Sequence, residues 1–222
     1  SMLMQRILKE DGIPPDRLPE FRKYLSQVEQ ETTRVGRIVS DLLSFSRRSK
    51  PQHSPADLNR LVRSTLSLVS HKLKLAEVEV RLDLADDLPT VSCDASQIRQ
   101  VILNLLLNAS EATQSKPQRR MVVRTRGAGE TVEFIVEDNG EGIRPENIGK
   151  IFDPFFTTKS EGKGVGLGLA VSYGIVQAHN GDIEVHSQPG MGTTFTMTLP
   201  TGHDEPVSGH EHETALGNPG SR

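Results

Sequence analysis

Between residues 17 and 48 apolar side chains recur at Leu18, Phe21, Leu25, Val28, Val35, Val39 and Leu42, with Thr32 at the missing place. The steps alternate three and four, which keeps one stripe on one side of a helix and reads as a heptad seam. Ile38 and Phe45 widen the stripe, as in a helical bundle rather than a bare two-stranded coil. A single helix hairpin cannot bury such a seam. The pattern therefore predicts a dimeric four-helix bundle; a helix packed on its own domain is the other reading. Upstream, "LMQRILKE" (3–10) reads as the end of a preceding helix and "DGIPPDRLP" as a breaker-rich turn.

"SKPQHSP" (49–55) reads as a linker, and beyond it the periodicity changes. "DLNRLVRSTLSLVSHKL" is an amphipathic helix capped by Asp57, and "EVEVRLDLA" alternates as a strand does. "DASQIRQVILNLLLNASEAT" predicts a second helix with Asp94 as its cap. "RRMVVRTRGAG" and "ETVEFIVEDNG" predict a hairpin around Gly127–Gly129. Residues 140–165 form a loop region in which "RPENIGKIF" is a short helix. "GVGLGLAVSYGIVQAHNG" predicts a third helix ending on a Gly181 C-cap, and "GDIEVHSQ" with "TTFTMTLP" closes the sheet across "PGMG". Residues 201–222 are polar, turn-rich and expected to be mobile, and no internal repeat is evident.

Composition narrows the class. The 222 residues are 35% hydrophobic and 25% charged, ordinary for a globular protein, and the net charge of −3 carries no nucleic-acid footprint. No apolar run approaches the ~20 residues of a membrane helix. The single cysteine, Cys93, fits a reducing compartment and reads as a small core residue. With no Trp and two Tyr, a base-stacking or sugar-stacking surface is not expected. Ser1-Met2 reads as an artificial start within a longer protein. His53, His71, His179 and His186 lack metal-like spacing, and "GHEHE" (209–213) reads as solvated tail.

The stretch "EGKGVGLGLAVS" (161–172) lets backbone approach a phosphate closely. It is not a Walker loop, because neither Gly149-Lys150 nor Gly162-Lys163 is followed by Ser or Thr. It is not a Rossmann loop, because Leu169 stands where the third glycine belongs. The H-R-D and D-F-G partners of a protein-kinase loop are absent. What remains is four elements in order: "NLLLNASEA", with Asn104 and Asn108 on one helix face; "DNGEGI" (138–143) at a strand end; "IFDPFFTTK" (151–159); and the glycine run opening a helix.

With these four boxes, residues 52–200 resemble the catalytic domain of histidine kinases, whose ATP-binding fold is shared with DNA gyrase, the heat-shock chaperones and mismatch-repair ATPases. The resemblance implies an α+β fold: a two-layer α/β sandwich, its mixed, mostly antiparallel sheet covered by three helices, preceded by a long helix of a dimeric bundle. It implies that Asn108 ligates Mg²⁺ with Asn104 assisting, and that Asp138 accepts from the exocyclic amine of adenine. Gly140 and Gly142 then let the backbone pass the base. Phe152, Phe155 and Phe156 seat a lid over the nucleotide, and Lys159 and Lys163 lie in it. Gly164, Gly166 and Gly168 bend the lid back into a helix whose N-terminus faces the phosphates. Ile143, Thr158, Leu167 and Thr194 complete the implied nucleotide-binding set.

The resemblance further implies three regions: residues 1–50, a dimerisation hairpin lacking the phosphoacceptor helix; 51–200, the ATP-binding domain; and 201–222, a tail. The hydrolytic branch of the family carries a Glu four residues before the Mg²⁺-binding Asn, as general base toward water. Here that place is Asn104, which cannot take a proton at neutral pH. Glu111 stands where many histidine kinases have Lys, as in a nitrogen-regulation-type subgroup. The implied activity is transfer of the ATP γ-phosphoryl group to a histidine in an H-E-x-x-N-P-like stretch, which these residues do not contain, with relay to a response-regulator receiver domain. An ATP-hydrolysing clamp and a non-catalytic nucleotide-binding scaffold are the alternatives. A cytoplasmic location is expected for this portion, whether or not the parent is membrane-bound.

Overall fold

The computed structural model describes residues 17–46, 51–158 and 165–202. The expected helix end at 3–10, the turn after it and the tail from 203 lie outside the described residues. The long helix forms as α1 (Leu18–Ser46) and lies against the last helix of the following domain. Along its first turns Leu18, Leu25 and Val28 of the heptad seam are exposed.

The remaining elements follow as β1 (Ser54–Ala56), α2 (Leu58–Leu75), β2 (Val78–Leu84), β3 (Val91–Cys93), α3 (Ala95–Ala112), β4 (Arg119–Ala128), β5 (Thr131–Asp138), α4 (Pro145–Ile148), α5 (Gly168–Ala178), β6 (Asp182–Gln188) and β7 (Gly192–Pro200). Five strands make one sheet in the order β2-β4-β5-β7-β6; β2 runs parallel to β4 and every other pair is antiparallel. Helices α2, α3 and α5 cover one face, so the mixed, mostly antiparallel two-layer sandwich is the fold observed.

Local chemistry fixes the helices. Asp57 accepts from the Arg60 N–H, and Asp94 accepts from the Ser96 and Gln97 N–H groups, so both helices start on side-chain caps. Helix α3 buries Ile98, Val101, Ile102, Leu105, Leu106 and Ala109, spaced by three and four, and sits at the centre of the layer. On β5 the inward positions are Val132, Phe134, Val136 and Asp138. Strand parity therefore carries Asp138 into the buried face behind three apolar residues.

Three local expectations are corrected. The end of the 49–55 linker is not free: Ser54–Ala56 pairs with Val91–Cys93, and Val91 also bridges to Thr201. Helix α5 starts at Gly168 rather than at Gly164, because Gly166 takes φ +72° and turns the chain first. Its end is a Schellman motif in which Asn180, not Gly181, is left-handed (φ +55°). The Gly181 N–H bonds the Val176 carbonyl at 3.0 Å and the Asn180 N–H bonds Gln177 at 3.0 Å. Glycine at 181 serves packing instead: a Cβ there would lie 2.2 Å from the Thr198 carbonyl oxygen.

Candidate functional site

Three segments converge at one end of the sandwich: the second half of α3, the turn after β5 and the start of α5. Asp138 ends β5 with 5% exposure. Burial pushes its carboxyl up to about 6; the N–H groups of Gly140 and Thr193 act against that shift, and Glu137 adds to it. The Gly140 N–H donates to Oδ1 at 2.7 Å. Among the described residues no cation pairs with this carboxyl group. A buried carboxylate without a cationic partner is a strong acceptor awaiting a donor.

The turn that follows is pressed onto its neighbours. A Cβ at Gly140 would lie 2.6 Å from the Ala112 carbonyl oxygen, at the end of α3. Gly142 takes φ +71° against the backbone of Gln188, and the Glu141 N–H bonds Ala112 O at 3.1 Å. Ile143 is half-buried against the core, and its N–H donates to Ser187 Oγ at 2.8 Å.

Asn104 and Asn108 lie one turn apart on α3, both half-buried. Asn104 Nδ2 donates to the Gly168 carbonyl and to Ser172 Oγ, each at 3.2 Å, and so ties α3 to the start of α5. Among the described residues no hydrogen bond engages the Asn108 carboxamide. Its oxygen is a neutral, hard donor of the type Mg²⁺ accepts beside phosphates, so the donor chemistry fits that ion. Among the described residues no group of three His, Cys, Asp or Glu side chains could hold a metal.

Helix α5 has no side-chain cap, so its first N–H groups are open toward the site. Leu167 is buried, and Gly168 packs over Asn104. Phe152 is half-buried and lies against Tyr173, ring centroids 5.2 Å apart, while Phe156 packs against the core. Phe155 is 68% exposed and Thr158 is exposed. Lys159, Lys163 and Gly164 lie outside the described residues.

Thr194 pairs with Glu137 on the outward face of β7. The threonine opposite Asp138 is Thr193, buried, with its Oγ 2.9 Å from Ser187 Oγ. The parity of β7 (Phe195, Met197 and Leu199 inward) already places 193 inward and 194 outward. Ser187 was missed altogether, because a serine in a polar edge strand carries no distinguishing pattern. Cys93 is fully buried with its thiol pushed up to about 11, as a core residue should be.

Comparison with known proteins gives a family and relatives. Residues 93–203 match the family described as histidine kinase-, DNA gyrase B- and HSP90-like ATPase. Sensor histidine kinase ZraS of Escherichia coli K12 is 41% identical over 184 residues, and signal transduction histidine-protein kinase AtoS of the same strain 41% over 183. Each match covers 82% of this chain, which spans 38% of the length of ZraS and 29% of AtoS. Among solved structures, histidine kinase ThkA in complex with response regulator protein TrrA gives a TM-score of 0.72 at 27% identity, over 90% of this chain and 56% of that one. Full-length ShkA in complex with AMPPNP gives 0.71 at 26%, over 89% of this chain and 42% of that one.

Proposed function

The chain belongs to the histidine kinase-, DNA gyrase B- and HSP90-like ATPase family, and on that premise we propose that it binds Mg-ATP and donates the γ-phosphoryl group to a histidine of a two-component sensor kinase. The observation that carries this reading is the buried carboxyl of Asp138, without a cation among the described residues, ahead of a turn packed on the end of α3. In its ionised form it accepts from the adenine amine; guanine offers a carbonyl at that position and is rejected.

The start of α5 supplies N–H groups and a positive dipole end toward the phosphates, and Asn104 fixes that helix end. Asn108, with Asn104 beside it, would hold Mg²⁺, which neutralises charge on the phosphate oxygens when bound. A neutral imidazole nitrogen then attacks the γ-phosphorus in line, the bond to the β-phosphate oxygen breaks, and ADP leaves. The acceptor histidine belongs to an H-E-x-x-N-P-like stretch outside these residues. The exposed seam residues Leu18, Leu25 and Val28 support a homodimeric bundle around α1 that brings such a stretch near. A response-regulator aspartate is the next acceptor; ThkA, a structural relative, was solved with a response regulator protein.

The competing reading, an ATP-hydrolysing clamp, needs a general base one turn before Asn108. Asn104 occupies that place and donates its amide hydrogens to α5, so it acts as a strut. The test is label transfer from γ-labelled ATP with Mg²⁺ to a separately made segment carrying the acceptor helix. Acid-labile label on that segment, lost in Asp138→Asn, is expected. Steady phosphate release without label would overturn the reading in favour of the clamp.

A further inference from the structure

Asp138, Thr193 and Ser187 are successive members of one row across β5, β7 and β6. The hydroxyl of Ser187 is fully used. It accepts the Ile143 N–H at 2.8 Å, donates to the Gly192 carbonyl at 3.0 Å, and has Thr193 Oγ at 2.9 Å to fill its second lone pair. One proton and two lone pairs meet one acceptor and two donors, which leaves no capacity for solvent. Each partner adjoins Asp138 or the turn that follows it. Ile143 closes the Gly140–Gly142 turn, and Thr193 stands opposite Asp138. Gly192 lies on Asp138 itself: a Cβ there would be 1.9 Å from the Asp138 carbonyl oxygen.

The turn is otherwise attached to the β6–β7 hairpin by backbone alone, through the Gly190 N–H on Glu141 O at 2.7 Å. Among the described residues the Ser187 hydroxyl is the one side-chain hydrogen bond joining them. We propose that Ser187 is a positioning residue for adenine selection: its hydroxyl sets the gap between the Asp138 carboxyl and the turn backbone, and so fixes how a base can enter. Resting on the Mg-ATP reading above, this names what shapes the pocket without touching the nucleotide. Serine fits because a hydroxyl is both donor and acceptor on a short stem; alanine leaves the Ile143 N–H and the Gly192 carbonyl without their partner.

The test uses the whole chain and calorimetric titration with Mg-ATP and Mg-GTP, beside the thermal midpoint and amide exchange at Ile143. Ser187→Ala should reduce the preference for Mg-ATP over Mg-GTP about tenfold, the scale of one lost buried hydrogen bond, and speed exchange at Ile143. Ser187→Thr should restore both, which a loss of folding stability alone would not do. A folded Ser187→Ala with wild-type preference overturns the proposal. Should Ser187→Ala fail to fold, Ser187→Cys, similar in size with weak hydrogen bonding, must show the reduced preference, and an unchanged one overturns the proposal. Asp138→Asn separates the two levels. If it binds Mg-ATP as wild type does, the adenine reading has failed and the proposal falls with it. If it loses Mg-ATP while a folded Ser187→Ala keeps the wild-type preference for Mg-ATP over Mg-GTP, the proposal alone has failed.

Discussion

The backbone N–H of Phe155 donates to the carbonyl of Gly166 at 2.9 Å, and both residues are left-handed, at φ +68° and +72°. The described residues on either side of 159–164 are thus stitched into a single neck. A bulky residue in that conformation costs roughly 1–2 kcal/mol, and Phe155 bears this while 68% exposed.

The neck makes opposite predictions for its two sides. Gly166→Ala places a Cβ 2.4 Å from the Phe156 carbonyl oxygen. It should destabilise the domain by about 1–3 kcal/mol and weaken Mg-ATP binding. Phe155→Gly removes strain and little packing, so its thermal midpoint should equal or exceed that of wild type. Scanning calorimetry of the two variants checks the contrast.

Asp138 sets one pH dependence. Its folded carboxyl, at about 6, lies above the ordinary 3.8, so the fold binds this proton more tightly than the unfolded chain does. The corresponding stability is full below about pH 4 and lost as pH rises through about 6, a change on the order of 3 kcal/mol. Nucleotide binding runs the other way, because adenine needs the ionised form: Mg-ATP affinity should fall below about pH 6. Asp138→Asn should flatten the stability slope and abolish selective binding. Denaturant titrations and calorimetry between pH 4 and 8 read both.

Asn104 and Asn108 should separate cleanly. Asn108→Ala removes a carboxamide that engages no other described residue, so the fold should stay within about 0.5 kcal/mol of wild type. The gain in ATP affinity on adding Mg²⁺ should shrink roughly tenfold. Asn104→Ala cuts the tie to Gly168 and Ser172, so it should lower the thermal midpoint as well as affinity, with Mg²⁺ or with a chelator present. An equal Mg²⁺ dependence in the two variants would overturn the division.

His179 supplies the opposing pH dependence. It is buried, its Nε2 accepts the Asp94 N–H at 3.0 Å, its Nδ1 faces the Ile175 carbonyl at 2.8 Å, and His53 stacks on it at 4.9 Å. Burial lowers its basicity, the Ile175 carbonyl and Asp94 oppose that, and His53 adds to it. A depressed imidazole stabilises the fold above its ordinary pKa, near 6.5, and that stability is lost as pH falls through the lowered value. His179→Phe keeps the bulk, leaves the Asp94 N–H without its acceptor, and should cost about 1–2 kcal/mol at neutral pH while reducing the acid slope. Urea midpoints against pH measure it.

The parts legible in the sequence were those with period or punctuation. Asp57 and Asp94 announced their helices, and the alternation of β4, β5 and β7 announced the sheet. Asn104, Asn108, Asp138 and the glycines were found as ordered boxes, and the structure brings the described ones to one end of the sandwich. Strands β1 and β3 escaped notice because three residues show no alternation, and a Pro-containing segment beside a linker reads as coil. The substitution of Asn180 for Gly181 at the left-handed position follows from tertiary contact with Thr198, which no local pattern encodes. Ser187 is of the same kind: one hydroxyl meets two backbone groups, of Ile143 and Gly192, and the Thr193 hydroxyl.

Strand β3 has a consequence for how the nucleotide domain is mounted. The arriving chain pairs with one edge of Val91–Cys93 through Ser54–Ala56, and the departing chain takes the other edge, where Thr201 bridges Val91 and the Gly202 N–H bonds Thr90 O at 2.9 Å. Inlet and outlet are thus clasped side by side on three residues, and Asp94, the next residue, caps the helix that bears Asn104 and Asn108. Such a domain is a cassette. Its two ends leave side by side at the root of α3, so it could be spliced into another chain at adjacent points.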